Sequence, residues 1–384
     1  MDLTYTDEEQ DFRARLHAWL LKALPELPAR PSPDDWPGRR AYDLGWQRRL
    51  YEAGYAGLHW PVDAGGRGAT PTQHLIFLEE TERAGAPYVG ANFVGLLHAG
   101  PTVAAEGTAE QRARWLPPVL RGEEVWCQGF SEPDAGSDLA ALRTRAVRDG
   151  DDYVISGSKI WTSHAEVADW CELLVRTDPG APKHRGISWL AMPMDAPGVT
   201  VRPLRTLAGS TEFAEVLLDE VRVPVANRVG AENDGWRVTM VTLSFERGTA
   251  FVGEVVACRR TLRELARTAK ANGRWDDPVL RRRLGRLHGE FGALWRLTQW
   301  NVSESERSGG VPGVGGSVFK LAYSHARQDL YDVAAEVLGA SALSLDEEWV
   351  QGRLSGLSYT IAAGTSQIQR NIVAERILGL PKGR

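Results

Sequence analysis

The feature that most constrains the fold is a change of residue pattern near Val125 and again after Pro224. Between these points, short β-branched or alternating runs such as DYVISGSKIW and EFAEVLLDEVRVP are separated by turn residues. Strands at this spacing predict a compact β domain, either a barrel or a sandwich. The flanking segments have helical periodicity. We therefore expect an α+β protein of three parts: an N-terminal helical domain (1–122), a middle β domain (123–228) and a C-terminal helical bundle (229–384).

Helix signals support this division. Thr6 precedes Glu9 by three residues, which predicts a capping box and a first helix. A long helix is expected from Asn233 or Asp234 to Lys270. The same patterning predicts the other helices, over 41–53, 71–85 and 91–106 in the first part and over 276–307, 317–339 and 365–379 in the last.

Composition excludes several classes of protein. The 384 residues carry a net charge of −5, which argues against a general nucleic-acid binder. No run approaches the ~18 apolar residues of a membrane span, and the N-terminus is acidic where a secretory signal would be basic. The three cysteines are widely spaced, which predicts neither disulfides nor a metal site. A cytoplasmic location is expected. The 14 tryptophans are expected mainly in the core.

Three segments have unusual composition. CQGFSEPDAGSD (127–138) packs small, polar and acidic residues into a loop after a strand. KIWTSHAEVADW (159–170) places hydroxyls beside an aromatic face, and GTSQIQRN (364–371) leads from a glycine into a helix. Free amides at a helix start attract anions. Taken singly, however, each segment has an ordinary structural interpretation: the first is a well-bonded turn, the second a core strand and the third a capped helix.

In this order and at these distances, the three segments resemble the acyl-CoA dehydrogenase family of flavoproteins. The resemblance covers residues 3–382 and is most specific in SEPDAGSD, KIWTS, VRVPVANRVG and GTSQIQRNIVAERILG. It implies FAD as cofactor and α,β-dehydrogenation of an acyl thioester, in which a carboxylate removes the α-proton and flavin N5 takes the β-hydride. The flavin ring of such proteins lies between the β domain and the C-terminal helices. No GxGxxG motif is present to indicate NAD.

The resemblance also implies cofactor contacts. Ser131 matches the position that bonds the pyrimidine end of the flavin, the Trp161 position packs on the ring, and a hydroxyl at Ser163 reaches N5. Thr365 and Gln367 match residues that hold the phosphates and the adenosine portion. The full set of matching positions is Gln128, Phe130, Ser131, Gly136, Ser137, Trp161, Thr162, Ser163, Thr365 and Gln367.

The catalytic base departs from the commonest pattern of the family. The usual Glu position, before the Gly of a Gly-Thr pair, is occupied by Ala363. A minority of members carry the base on the long C-terminal-domain helix before an Arg, and Glu246 matches that position. Burial in an apolar run would raise a carboxylate pKa towards neutrality, which suits a general base. Substrate contacts are expected at Ser137, Ser244, Phe245, Arg247, Ala363 and Gly364, around a branched, cyclic or bulky acyl group.

Partners and rival functions follow from the same comparison. The family implies an electron-transfer flavoprotein as acceptor and a homodimer or homotetramer. The Arg-x-x-Phe-Gly and Gln-x-x-Gly-Gly motifs that usually reach the neighbouring subunit's FAD are absent. A heteromer is therefore an alternative to the homo-oligomer. A carrier-bound acyl group is an alternative to acyl-CoA. The rival functions are a flavin oxidase or monooxygenase on this fold and a non-catalytic partner subunit.

Overall fold

The computed structural model describes residues 4–87, 89–249, 252–307, 315–345 and 348–382, without the side chains of 246–249 and 305. The chain divides into two compact units. The helical unit comprises residues 1–21, 70–86 and 247–384, and the mixed unit comprises residues 22–69 and 87–246.

The mixed unit contains an eight-stranded sheet. Its strands follow one another as β6-β7-β3-β2-β4-β5-β8, and β1 pairs in parallel with β4. The strands are β1 (Trp126–Gly129), β2 (Arg145–Asp149), β3 (Asp152–Ser163), β4 (Trp170–Arg176), β5 (Ile187–Pro193), β6 (Val199–Leu204), β7 (Phe213–Pro224) and β8 (Arg228–Val229). The predicted strand segments are confirmed, and β8 is an addition to them.

Four described helices accompany the sheet. They are α2 (Trp36–Glu52), α4 (Gly100–Glu106), α5 (Ala109–Arg121) and α6 (Gly235–Thr249). The helical unit contains α1 (Asp7–Ala23), α3 (Pro71–Arg83), α7 (Val252–Ala271), α8 (Pro278–Arg307), α9 (Gly315–Leu338), α10 (Glu348–Gly356) and α11 (Ser366–Ile372), which continues as a π-helix over Val373–Ile377. The core of the helical unit lies mainly on α7, α8 and α9. The predicted order of helical, β and helical segments is confirmed.

Helix ends show where local signals were strong and where they were weak. The capping box of α1 is confirmed, with the Glu9 carboxylate 2.7 Å from the Thr6 amide. The second helix begins at Trp36 rather than at residue 41, because Asp35 caps it by accepting the Gly38 amide at 2.9 Å. The helix predicted over 91–106 is wrong as a single element: a 3₁₀ turn and a π-helix at Gly95–Ala99 precede α4.

Tryptophans build much of the interior of the mixed unit. Trp126 stacks on Trp170 at 5.7 Å and on Trp189 at 6.5 Å between ring centroids, and Trp115 meets Trp126 edge-on at 5.8 Å. This confirms packing as the main role of the tryptophans. Trp161 is different, because 58% of it is exposed.

All three cysteines are free and buried. No helix among the described residues is long and apolar enough to cross a membrane.

Candidate active site

A buried ion pair shapes the loop that follows β1. The Glu132 carboxylate accepts the backbone amides of Arg143 and Thr144 at 2.7 and 2.8 Å. The Lys159 ammonium donates to the same carboxylate at 2.9 Å and to the Phe130 carbonyl at 3.2 Å. Lys159 has no exposed surface. One lysine on β3 therefore fixes the first part of the loop at two points.

The pKa shifts of the two groups in this pair have different causes. Burial lowers the pKa of the Lys159 ammonium, although the Glu132 carboxylate opposes the shift. Burial would raise the pKa of Glu132, but Lys159 and the hydrogen bonds outweigh it and hold that pKa below its ordinary value. Since breaking a buried pair leaves an uncompensated charge, the loop is strongly tied to the strand.

The end of β3 presents an aromatic face. Pairing with β7 is irregular between Lys159 and Thr162, and Trp161 there has a φ of +61°. This conformation is uncommon for a residue with a large side chain, and such strain concentrates at functional sites. Trp161 forms an edge-to-face pair with Phe213 at 6.0 Å between centroids, and 58% of Trp161 is nevertheless exposed. The Ile160 amide donates to the Ser131 carbonyl at 2.9 Å and so joins the loop to this strand.

The other predicted residues of the loop have distinct environments. Gly136 and Ser137 are exposed, and a Cβ added at Gly136 would meet no protein atom within 4 Å. Ser131 and Ser163 are half-buried. The remaining two are directed inwards: the Phe130 ring is in the core, and the Gln128 amide donates to Glu172 at 2.8 Å. The open side of the loop thus lies at Gly136 and Ser137.

One buried polar atom on β3 lacks a partner. The Thr162 hydroxyl oxygen is buried and has no hydrogen bond within the described part of the chain. A buried hydroxyl without a partner carries a desolvation cost. Thr162 directly follows the exposed Trp161, so an aromatic face and an unused hydroxyl occur in adjacent residues.

A second predicted segment, around Gly364, belongs to the helical unit. Ala363 and Gly364 have φ values of +51° and +85°. Three interactions secure this turn: Lys320 donates to the Gly364 carbonyl at 2.6 Å, the Gln369 amide to the Ala363 carbonyl at 3.0 Å, and the Ile368 amide to the Thr365 hydroxyl at 3.2 Å. Ala363 and Gln367 are exposed, so the turn is rigid but open on one side.

Lys320 supplies the positive charge at this turn. It lies on α9 with only 3% of its surface exposed. Burial lowers the pKa of its ammonium to about 8. Its hydrogen bond to the Gly364 carbonyl satisfies one of its three donors.

The helix that carries the predicted base is anchored in the mixed unit. Arg237 of α6 forms a bidentate pair with Glu106 at 2.7 Å, and the Thr242 and Thr102 hydroxyls lie 2.9 Å apart. Both contacts join α6 to α4. Position 246 follows Thr242 by one helical turn. The side chains of Glu246 and Arg247 lie outside the described residues, whereas Ser244 and Phe245 are described and half-buried.

Family models match almost the whole chain. The N-terminal, middle and C-terminal domain models of acyl-CoA dehydrogenase match residues 6–123, 127–221 and 233–378. The chain belongs to the acyl-CoA dehydrogenase family. It is therefore an oxidoreductase that acts on CH–CH bonds, in a family that generally uses FAD.

Curated relatives extend the comparison. The chain is 39% identical over 381 residues to acyl-CoA dehydrogenase IpdE1 of Mycobacterium tuberculosis, covering 97% of this chain and 98% of that one. Among solved structures, the Tcur3481-Tcur3483 steroid ACAD matches with a TM-score of 0.84 at 32% identity over the full length of both chains. The ChsE4-ChsE5 complex of Mycobacterium tuberculosis matches with a TM-score of 0.82 at 33% identity, also over both full lengths.

Sequence reasoning missed the residues that support the site. Glu132 and Lys159 stand inside two of the quoted segments, yet only the fold shows that they pair. The signal for Lys159 was its place in the alternation of β3, in step with the buried Tyr153 and Ile155, where charges are rare unless paired. Lys320 had no such local signal, because it contacts Gly364 across 44 residues.

Proposed function

We propose that this acyl-CoA dehydrogenase uses FAD to introduce a Cα–Cβ double bond into a bulky, cyclic acyl thioester, with Glu246 as the base. The observation that carries the proposal is Trp161. Its exposed face in a strained backbone, beside a loop fixed by Lys159, is the kind of surface that a flat ring covers.

The residues present fit a flavin. Trp161 offers a stacking face, Thr162 an unused hydroxyl, and Gly136 open space next to the Ser137 hydroxyl. In the proposed site, Ser131 and Ser163 would bond the ring. The remaining cofactor contacts would come from Gln128, Phe130, Thr365 and Gln367. When bound, the flavin supplies the acceptor for the hydride that leaves Cβ.

Glu246 is proposed to take the α-proton. Ala363 cannot do so, because its methyl side chain has no proton acceptor. The α6 contacts to α4 hold the Glu246 backbone, and a base works only when held within reach of the proton it removes. The backbone amide of Ala363, on its rigid turn, would polarise the thioester carbonyl as Cα loses its proton. Gly364 gives this turn its conformation, and Ser137, Ser244, Phe245 and Arg247 would contact the substrate.

The acyl group is proposed to be wide and polycyclic. The Tcur3481-Tcur3483 steroid ACAD is 32% identical to this chain and matches it over the full length of both chains. The small side chains of Ala362 and Ala363 are exposed on the turn and add little bulk beside a substrate.

Anaerobic flavin bleaching tests the proposal. The purified protein should be yellow and release FAD, and a polycyclic acyl-CoA should bleach it much faster than straight-chain acyl-CoAs. Reoxidation by an electron-transfer flavoprotein, with little hydrogen peroxide formed in air, would distinguish a dehydrogenase from an oxidase. A colourless protein, or bleaching only by straight chains, would contradict the cofactor or the substrate class respectively.

A further inference from the structure

A cavity of about 470 Å³ lies in the helical unit, and none of its lining residues is among those proposed to contact the cofactor or the substrate. It is formed by the C-terminal end of α3, the middle of α7 and one face of α8. Four of its nine lining residues are arginines, and the full lining comprises Glu82, Arg83, Val256, Arg259, Arg260, Leu262, Arg263, His288 and Phe291.

The charges around this arginine pocket do not balance. Arg260 pairs with Glu82 at 3.1 Å, and Arg83 pairs with Glu79 at 2.5 Å. Within the described part of the chain, Arg259 and Arg263 make no ion pair. Two guanidinium groups therefore face the pocket with no carboxylate of their own.

Arg259 is the more constrained of these two cations. It is half-buried, and its guanidinium lies 5.8 Å from the centroid of the Trp295 ring, an arrangement that favours a cation. Burial and the nearby charges of Arg83, Arg263 and Arg296 lower its pKa, and only Glu79 opposes this. Like charges held together destabilise a fold unless an anion joins them.

We propose that the arginine pocket binds a phosphorylated small molecule with at least two negative charges and an apolar body, such as a nucleoside diphosphate. Guanidinium groups bind phosphate oxygens in a bidentate manner. The two unpaired arginines set the minimum negative charge of the ligand, and the volume of the pocket exceeds that of a single phosphate. Val256, Leu262 and Phe291 offer apolar surface for the rest of the ligand. This inference does not depend on the proposed function.

Calorimetry with inorganic pyrophosphate and with ADP tests the proposal on the protein as purified. Arg259→Gln should weaken the binding of both by roughly 10–100-fold, the equivalent of one charge-assisted hydrogen bond. Arg282→Gln is the matched control, because Arg282 is exposed on α8, does not line the pocket and makes no ion pair with any described residue. Tighter binding of ADP than of pyrophosphate would identify the apolar surface as part of the site.

Thermal unfolding provides an independent test of anion binding. Without added anion, Arg259→Gln should melt close to the wild-type temperature, because the relief of repulsion among the arginines offsets the loss of the contact with Trp295. Pyrophosphate should raise the wild-type melting temperature beyond the effect of sodium chloride at equal ionic strength. Should Arg259→Gln fail to fold, the exposed Arg263→Gln carries the same binding test.

Two results would overturn the proposal. One is pyrophosphate and ADP binding that is absent from the wild type or unchanged by both arginine substitutions. The other is a change of molecular mass on light scattering in Arg259→Gln without any anion effect, which would assign the pocket to contact with a second chain.

Discussion

At the scale of single residues, the base decides whether the chain can perform the reaction at all. Glu246→Gln keeps nearly the same volume and polarity, so the fold and the bound flavin should persist. An amide cannot accept the α-proton, and a positioned general base contributes ~10²–10⁴-fold. We expect anaerobic bleaching by a true substrate to slow by at least the upper end of that range, as followed by stopped-flow absorbance.

Two further variants sharpen this test. Glu264→Gln, an exposed position on α7, should leave the rate unchanged. Ala363→Glu in the Glu246→Gln background places a carboxylate where most of the family keeps one, and recovery of part of the rate would show that a carboxylate at position 363 can also remove the α-proton. A Glu246→Gln enzyme that bleaches at the wild-type rate would show that the base lies elsewhere.

Trp161 carries the second prediction at this scale. Trp161→Ala removes the exposed face, and one aromatic stacking contact is worth about 1–3 kcal/mol. We expect the dissociation constant of FAD, measured by fluorescence titration of the apoprotein, to rise roughly 5–150-fold. The melting temperature of the apoprotein should change little, because the Trp161 side chain is mostly exposed and its replacement by Ala buries no polar group.

The matched control for Trp161 is Trp300→Ala, which removes another exposed tryptophan, on α8. Equal FAD affinity in the wild type and Trp161→Ala, or an equal decrease in both alanine variants, would refute a stacking role.

At the scale of elements, the Lys159–Glu132 pair joins β3 to the loop after β1. Lys159→Met leaves a buried carboxylate without its cation, and such breaks cost about 3–5 kcal/mol. The double variant Lys159→Met/Glu132→Gln should recover part of that stability, because no charge remains buried. Urea unfolding of the four proteins in the double-mutant cycle measures the coupling free energy. If the changes in unfolding free energy of the two single variants add up to that of the double variant, the interaction between Lys159 and Glu132 contributes nothing to stability.

The pH dependence of this pair has a definite sign. The folded-state pKa of Glu132 lies below its ordinary value of 4.5. Its contribution to stability is therefore complete above pH 4.5 and is lost as the pH falls through the folded-state pKa. Glu132→Gln should lack this component, so its stability should fall less steeply on acidification than that of the wild type.

Lys320 has an effect of the same sign in the alkaline range. Its pKa is about 8 in the folded chain against 10.5 ordinarily, so the unfolded chain holds the extra proton between these values. Stability from this residue therefore rises with pH from about 8 to 10.5. In urea unfolding, the stability of the wild type relative to Lys320→Met should increase across that range. The exposed Lys22→Met should show no such trend; a flat difference for Lys320→Met would contradict the burial effect.

Sequence patterns predicted elements well where the cause was local. Alternation along β7 and the Thr6–Glu9 cap depend on neighbours within a few residues, and both are confirmed. The π-helix before α4 was missed, and the contact beside it is not local: a Cβ added at Gly100 would come within 2.2 Å of the Trp60 ring, 40 residues away. The Lys159–Glu132 and Lys320–Gly364 interactions were missed for the same reason, as pairing over such distances has no local period.

At the scale of the whole molecule, two observations bear on assembly. The family resemblance predicts a homodimer or homotetramer, while the motifs that usually reach a neighbour's FAD are absent at 269–285 and 334–343. One of the matching structures is a complex of two named proteins, ChsE4 and ChsE5. This chain retains both the loop at 127–138 and the turn at 363–367, so we expect each copy to bind its own flavin without a sister protein.

Light scattering coupled to absorbance tests this expectation on the chain expressed alone. The mass should correspond to two or four copies, with one FAD per chain by absorbance after denaturation. Obligate oligomers show concentration-dependent stability, so the melting temperature should rise with protein concentration. A stable, fully active monomer would contradict the homo-oligomer. The alternative outcome is an inactive chain with well below one flavin per copy, whose activity and flavin content are restored by a co-expressed relative. This result would show that a second protein completes the site. That partner would then supply the FAD-binding residues that the two absent motifs usually provide.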